Sequence, residues 1–74
     1  MDTKVLREAQ GLISQAISLV EAVKDDTQED YDDRSTEWQE SAPGQRQDEQ
    51  LAQLEEVLGN LNQADSDLEA AMKD

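Results

Sequence analysis

"SAPG", residues 41–44, holds the chain's only proline beside one of its three glycines. A turn placed here divides the 74 residues into two segments, and each segment carries one apolar stripe at helical spacing. Ser41 suits an N-cap, because its side-chain oxygen can accept from N–H groups that a first helical turn leaves unpaired. Pro43 is tolerated just inside a helix for the same reason: its missing donor would have no partner there. The second helix is therefore expected to start near residues 42–45.

Upstream, Val5, Leu6, Ala9, Leu12, Ile13, Ala16, Ile17, Leu19, Val20 and Val23 recur at intervals of three and four. That is the helical period, and no run alternates as a strand would. The stripe covers an arc of roughly 160°, wider than a two-stranded coiled-coil seam requires. Downstream, Leu51, Leu54, Val57, Leu58, Leu61, Ala64, Leu68, Ala71 and Met72 form a second stripe of similar width, centred on Leu54, Leu61 and Leu68. Two faces this broad imply more than one neighbour. Gly11 and Gly59 fall opposite the stripes and are expected to be exposed, each costing the helix about 1 kcal/mol relative to alanine.

The expected architecture is all-α: a long antiparallel helical hairpin that dimerises into a four-helix bundle. The first helix spans about 3–40, with a break allowed at 32–35; the turn is 41–44, and the second helix spans about 45–73. Carrying the first stripe forward in phase places Thr27, Tyr31, Arg34 and Trp38 on the core arc. The expected core and dimer positions are Leu6, Ile13, Val20, Tyr31, Trp38, Leu54, Leu61 and Leu68. In the expected register Trp38 lies near 47–51, Tyr31 near Leu54, Val20 near Ala64 and Ile13 near Met72. A first helix of roughly 38 residues, about 57 Å long, then overhangs its partner and leaves Val5 and Leu6 for a second copy to cover.

Charge is the other strong signal. Nineteen Asp and Glu oppose six Lys and Arg, a net charge of −13, without histidine or cysteine. Such a balance disfavours direct binding to nucleic acid or an anionic membrane and favours a basic partner. Residues 1–24 are neutral, whereas Asp25, Asp26, Glu29, Asp30, Asp32, Asp33, Glu37 and Glu40 crowd into one stretch opposed only by Arg34. On a continuous helix these eight acids occupy an arc largely apart from Tyr31 and Trp38, the chain's two aromatics.

No phosphate loop or nucleophile elbow is present, so enzymatic activity and cofactors are not expected. Asp26, Gln28, Asp30, Asp32 and Glu37 match positions 1, 3, 5, 7 and 12 of a calcium loop. Position 6, however, is Tyr31 where the sharp turn needs glycine, and Arg34 would face the ion, so no metal site is expected. The longest apolar runs are short and the start lacks the order of a signal peptide; a cytoplasmic location is expected.

Two functional classes remain, and the expected one is the first: a non-enzymatic inhibitor that binds a basic protein through Asp25, Asp26, Glu29, Asp30, Asp32, Asp33, Glu37 and Glu40, with the second as the alternative. In one, the acidic face imitates nucleic-acid phosphates and blocks a basic, nucleic-acid-handling protein. Carboxylates three or four residues apart on a helix sit about 5–6 Å apart, close to the phosphate spacing of roughly 6–7 Å along a strand. In the other, the charge serves solubility and the apolar stripes make an oligomerisation or adaptor surface.

The box "YDDRSTEWQESAPG", Tyr31 to Gly44, resembles a segment of small acidic proteins of bacteriophages and mobile elements. In these an acidic helix runs into a Ser-x-x-Trp-Gln-x-Ser-x-x-Gly turn and then a Leu- and Glu-rich helix. The resemblance covers fourteen residues and extends to the flanking helices by pattern only. It implies a phage-type origin and a small host-directed inhibitor, such as an anti-CRISPR or anti-restriction protein. It carries over to Ser35, Trp38, Gln39, Ser41 and Gly44 as turn and packing residues; Pro43 departs from the pattern.

Overall fold

The computed structural model describes residues 2–73. Three helices follow in chain order, α1 (Thr3–Asp33), α2 (Thr36–Glu40) and α3 (Ala42–Met72). The two long helices pack antiparallel along a rod of 54 × 14 × 12 Å, and α2 folds against the start of α3.

Each helix start has a side-chain cap. The Asp2 carboxylate accepts from the N–H groups of Lys4 (3.0 Å) and Val5 (3.3 Å), Ser35 Oγ accepts from Trp38 N (3.2 Å), and Ser41 Oγ accepts from Gly44 N (3.4 Å). These bonds satisfy donors that a first helical turn cannot pair internally. Arg34 and Ser35 are both extended, with ψ of 156° and 155°, and they end α1. At that break Gln39 supplies a further donor: its Nε2 donates to Tyr31 O (2.7 Å), which also accepts from Arg34 N (3.2 Å), and to Arg34 O (3.3 Å). A continuous helix over 3–40 therefore does not form. Ser35 diverts the backbone into a new cap, and Gln39 compensates the lost ladder.

The joint between α2 and α3 is a single residue. Ser41 caps the end of α2, its N–H donating to Trp38 O at 3.0 Å and its hydroxyl donating to the same oxygen, while serving as N-cap of α3. The expected turn of 41–44 is thus shorter: Ala42, Pro43 and Gly44 already belong to α3. Gly44 is buried beneath α2, and a β-carbon there would lie 2.6 Å from Gln39 Cα and collide with the Trp38 carbonyl. Its role is close approach of two backbones. Gly11 and Gly59 face open space, with no atom of a neighbouring element within 4 Å of where a β-carbon would lie.

The fold-back also changes the register. Gln47 Nε2 donates to Thr27 O (3.2 Å) and Asp30 Oδ2 (3.3 Å), and Lys24 Nζ pairs with Glu55 at 3.0 Å. Matching the half-buried positions of the two long helices step for step through these contacts sets Tyr31 about level with Gln47, Val20 with Leu58, Ile13 with Asp65 and Leu6 with Met72. The expected pairings of Tyr31 with Leu54, Val20 with Ala64 and Ile13 with Met72 are displaced by about two turns. The expected overhang of residues 1–8 is shortened, because α1 stops at Asp33 and α3 begins at once after α2: Leu6, expected to be uncovered, is half-buried, whereas Val5 is exposed.

The seam between α1 and α3 runs through Leu6, Gln10, Ile13, Ile17, Val20, Lys24, Thr27 and Tyr31 on one side, all half-buried. Gly44, Gln47, Leu51, Leu54, Leu58, Leu61, Asp65, Leu68 and Met72 face them. Both series alternate steps of three and four, the heptad pattern of helices that cross at a shallow angle. Among the described residues only Leu51 is a buried large apolar side chain (6% exposed). Asp65 interrupts the seam with a buried Oδ1 that has no hydrogen-bond partner.

The glycines separate two roles by substitution. Gly44→Ala should destabilise the hairpin by about 1–3 kcal/mol in chemical denaturation, since the methyl forces α2 off α3. Gly59→Ala should stabilise it by roughly 0.5–1 kcal/mol, the ordinary helix-propensity gain. Equal effects at the two positions would contradict the close approach at Gly44.

Candidate functional site

Two surfaces stand out, at different places along the rod. At the turn end, Asp25, Asp26, Glu29, Asp30, Asp32, Asp33, Glu37 and Glu40 are all exposed. Six project from the last turns of α1 and two from α2. Few are engaged: Asp30 sits 3.7 Å from Arg34 Nε and accepts from Gln47, and Asp32 accepts from Gln28 Nε2 at 3.0 Å. Asp26, Gln28, Asp30 and Asp32 are all residues of the α-helix, so their calcium-loop spacing does not wrap around a common point. Among the described residues no group of three or more acids is gathered in metal-binding geometry.

The aromatics anchor this end and are not displayed to solvent. Tyr31 and Trp38, both half-buried, meet edge to face with ring centroids 6.3 Å apart. The Arg34 guanidinium lies 4.7 Å from the Trp38 ring centroid. Such contacts add about 0.5–1.5 kcal/mol beyond burial for the ring pair and about 0.5–1 kcal/mol for an exposed cation over a ring. Both aromatics lie in the most acidic stretch for a structural reason: they close the fold-back from beneath, and the acids are what remains outside.

The second surface is apolar and belongs to the neutral half of α1. Val5 (56% exposed), Leu12 (64%), Leu19 (61%) and Val23 (54%) line a strip that α3 does not cover, and Val57 of α3 (42%) borders it. Val23, Thr27, Gln50, Gln53, Leu54 and Val57 form a shallow open groove where the strip reaches the middle of the rod. With Ala9 and Ala16 between them, the strip reads Val5, Ala9, Leu12, Ala16, Leu19, Val23, again in steps of four and three. The broad stripe of α1 is thus two heptad seams offset by one residue. α3 occupies one; in the other, Val5, Leu12, Leu19 and Val23 are exposed and Ala9 and Ala16 are half-buried.

The expected core positions Leu6, Ile13, Val20, Tyr31, Trp38, Leu54, Leu61 and Leu68 are all half-buried. Absent from that set are Gly44, whose tight approach has no signal in local sequence, and Leu51, legible only as a stripe member. Gln47, whose amide crosses to a backbone carbonyl of α1, carries no pattern that marks it, and Gln39, whose amide does the same, is marked only through the resemblance of its box. Among the described residues no helix is long and apolar enough to cross a membrane. No protein-family model, curated protein or solved structure matches the chain.

If Trp38 holds the fold-back, Trp38→Ala should lower stability by about 2–3 kcal/mol, near the lower end for aromatic truncation because the ring is only partly buried. Trp38→Phe should recover most of the loss. Unchanged thermal stability of Trp38→Ala would mark the ring as a contact for a partner instead.

Proposed function

We propose that the protein works by non-enzymatic association, with the uncovered strip of α1 as its docking surface for a helical partner. The observation that carries this reading is the exposure of Val5, Leu12, Leu19 and Val23, each more than half accessible and aligned along a single face. Isolated exposed apolar residues are ordinary on protein surfaces, but a contiguous strip rimmed by polar groups is characteristic of interaction sites. A heptad-spaced strip is shaped for an incoming helix, which inserts its own side chains between those already there.

A second reading rests on the eight exposed acids at the turn end. There the chain would engage a basic, nucleic-acid-handling protein of the host as a phosphate mimic, in the manner of an anti-CRISPR or anti-restriction inhibitor. The clustering of exposed carboxylates at one end, away from the neutral half of α1, supports this reading, as does the likeness of Tyr31–Gly44 to small acidic phage proteins. The first reading takes precedence because apolar area left in water carries a free-energy cost that docking removes, whereas the repulsion among exposed carboxylates is already weakened by water and salt.

Two variants distinguish the surfaces. Leu12→Glu with Leu19→Glu should leave the circular dichroism spectrum intact and shift stability by no more than about 0.5 kcal/mol, as expected of exposed positions. It should reduce partner capture at least tenfold. Reversing Asp25 and Asp26, or Asp32 and Asp33, to Lys should leave capture through the strip unchanged. Loss of binding only in the charge-reversed variants, together with weakening by salt, would transfer the function to the acidic end.

A further inference from the structure

We infer that the occupant of the α1 strip is a second copy of this chain, docked antiparallel about a two-fold axis level with residue 14. This rests on the reading of the strip as a docking surface and names its partner.

The first support is area. The chain exposes 5585 Å², whereas a compact folded monomer of 8.3 kDa is expected to expose about 4,600 Å². The excess, about 1,000 Å², is comparable to the roughly 800 Å² that each partner contributes to a standard stable interface.

The second support is self-complementarity. A two-fold interface requires that if residue i meets residue j, then j meets i. About residue 14 the strip satisfies this at every position: Val5 meets the second copy's Val23, Ala9 meets its Leu19, and Leu12 meets its Ala16. Each leucine therefore faces an alanine. Large opposite small lets the helices approach and interdigitate with neither void nor overlap. Val57, exposed beside Val23, and Ala64, half-buried, extend the face onto α3.

The third support is charge, which selects the direction. Parallel docking would set two groups of eight carboxylates side by side at one end. In the antiparallel arrangement the level of Asp25 coincides with the second copy's Thr3, where its α1 begins, so residues 27–40 project beyond the other copy's α1 at opposite ends of the assembly. The contacting segments, residues 3–24, hold Lys4, Arg7 and Lys24 against Glu8 and Glu21. Between the two α1 helices acids meet only at the solvated rim, where Asp2 lies level with the second copy's Asp26, with Lys4 nearby.

The test is sedimentation equilibrium of the full chain from about 1 to 200 μM, at 0.15 and 0.5 M NaCl, combined with cysteine cross-linking, which the cysteine-free chain permits. The expected result is a mass of twice 8.3 kDa at high concentration, with a dimer that tightens severalfold in higher salt as screening reduces the repulsion of two −13 chains. The Leu12→Glu, Leu19→Glu variant, still helical, should weaken dimerisation at least 100-fold. Ala9→Cys and Leu19→Cys variants should form disulfide-linked dimers when mixed and oxidised, and far fewer when oxidised separately, since a bridge needs α-carbons within about 7 Å. A wild-type chain that stays monomeric throughout overturns the second copy as occupant while leaving the strip open to another partner. A dimer indifferent to the Leu12 and Leu19 changes overturns both the inference and the reading of the strip. Self-linking of Ala9→Cys as efficient as in the mixture overturns the antiparallel direction, and a dimer that dissociates in higher salt overturns the apolar contact.

Discussion

The approach of α2 to α3 at Gly44 is the constraint from which the rest of the hairpin follows. Because Gly44 has no side chain, the backbone of Trp38 and Gln39 can lie directly on the first turn of α3, and one residue, Ser41, suffices to join the two helices. A one-residue joint is possible because Ser41 serves both directions: its N–H and hydroxyl donate to the end of α2, and its oxygen caps α3. With α2 folded back, the end of α1 is fixed at Asp33, and the Gln39 amide donates to the carbonyls of Tyr31 and Arg34.

The register so defined decides what is covered. Gln47 on Thr27 and Lys24 on Glu55 align two helices of equal length, so α3 meets a single heptad seam of α1 from end to end. A single helix cannot cover an arc of roughly 160°. The neighbouring seam of Val5, Leu12, Leu19 and Val23 is left in solvent. With Leu51 the one large apolar side chain buried among the described residues, the rod has little core of its own, which is what small size and a two-helix layout dictate. Its polarity is also built in: carboxylates crowd the end where the aromatics close the fold-back, and the apolar strip occupies the neutral half.

The two long helices were legible because three-and-four spacing over twenty residues has no other reading, Ser41 was legible as a place where a cap could form, and 32–35 as a place where the first helix could break. The excess width of the α1 stripe was legible too, as surface needing another neighbour. The register was not. Carrying the helical phase from Tyr31 through Trp38 treats residues 3–40 as one rod. In fact, Ser35 breaks the ladder at a point where Asp32, Asp33 and Thr36 offer little helix propensity to resist it. Once the chain turns there, Trp38 reaches Tyr31 by folding back and not by helical repeat, and every pairing downstream moves by about two turns. Gln47 escapes a reading by pattern because a glutamine that donates to a distant carbonyl looks, in sequence, like any surface glutamine; Gln39 stood out only as part of the Tyr31–Gly44 box. For the acidic end, the sequence locates the charge but holds nothing that distinguishes a solvated face from a recognition face.

Every contact along the rod depends on the register, since a hairpin shifted by two turns would cover a different part of α1 and uncover its first residues. An isotope-edited NOE spectrum, recorded at a concentration low enough to exclude contacts between copies, measures it directly. The Gln47 side-chain amide should show cross-peaks to Thr27 and Asp30, and Leu6 methyls should show cross-peaks to Met72. Cross-peaks from Thr27 to Leu58, or from Ile13 to Met72, without those from Gln47, would contradict it.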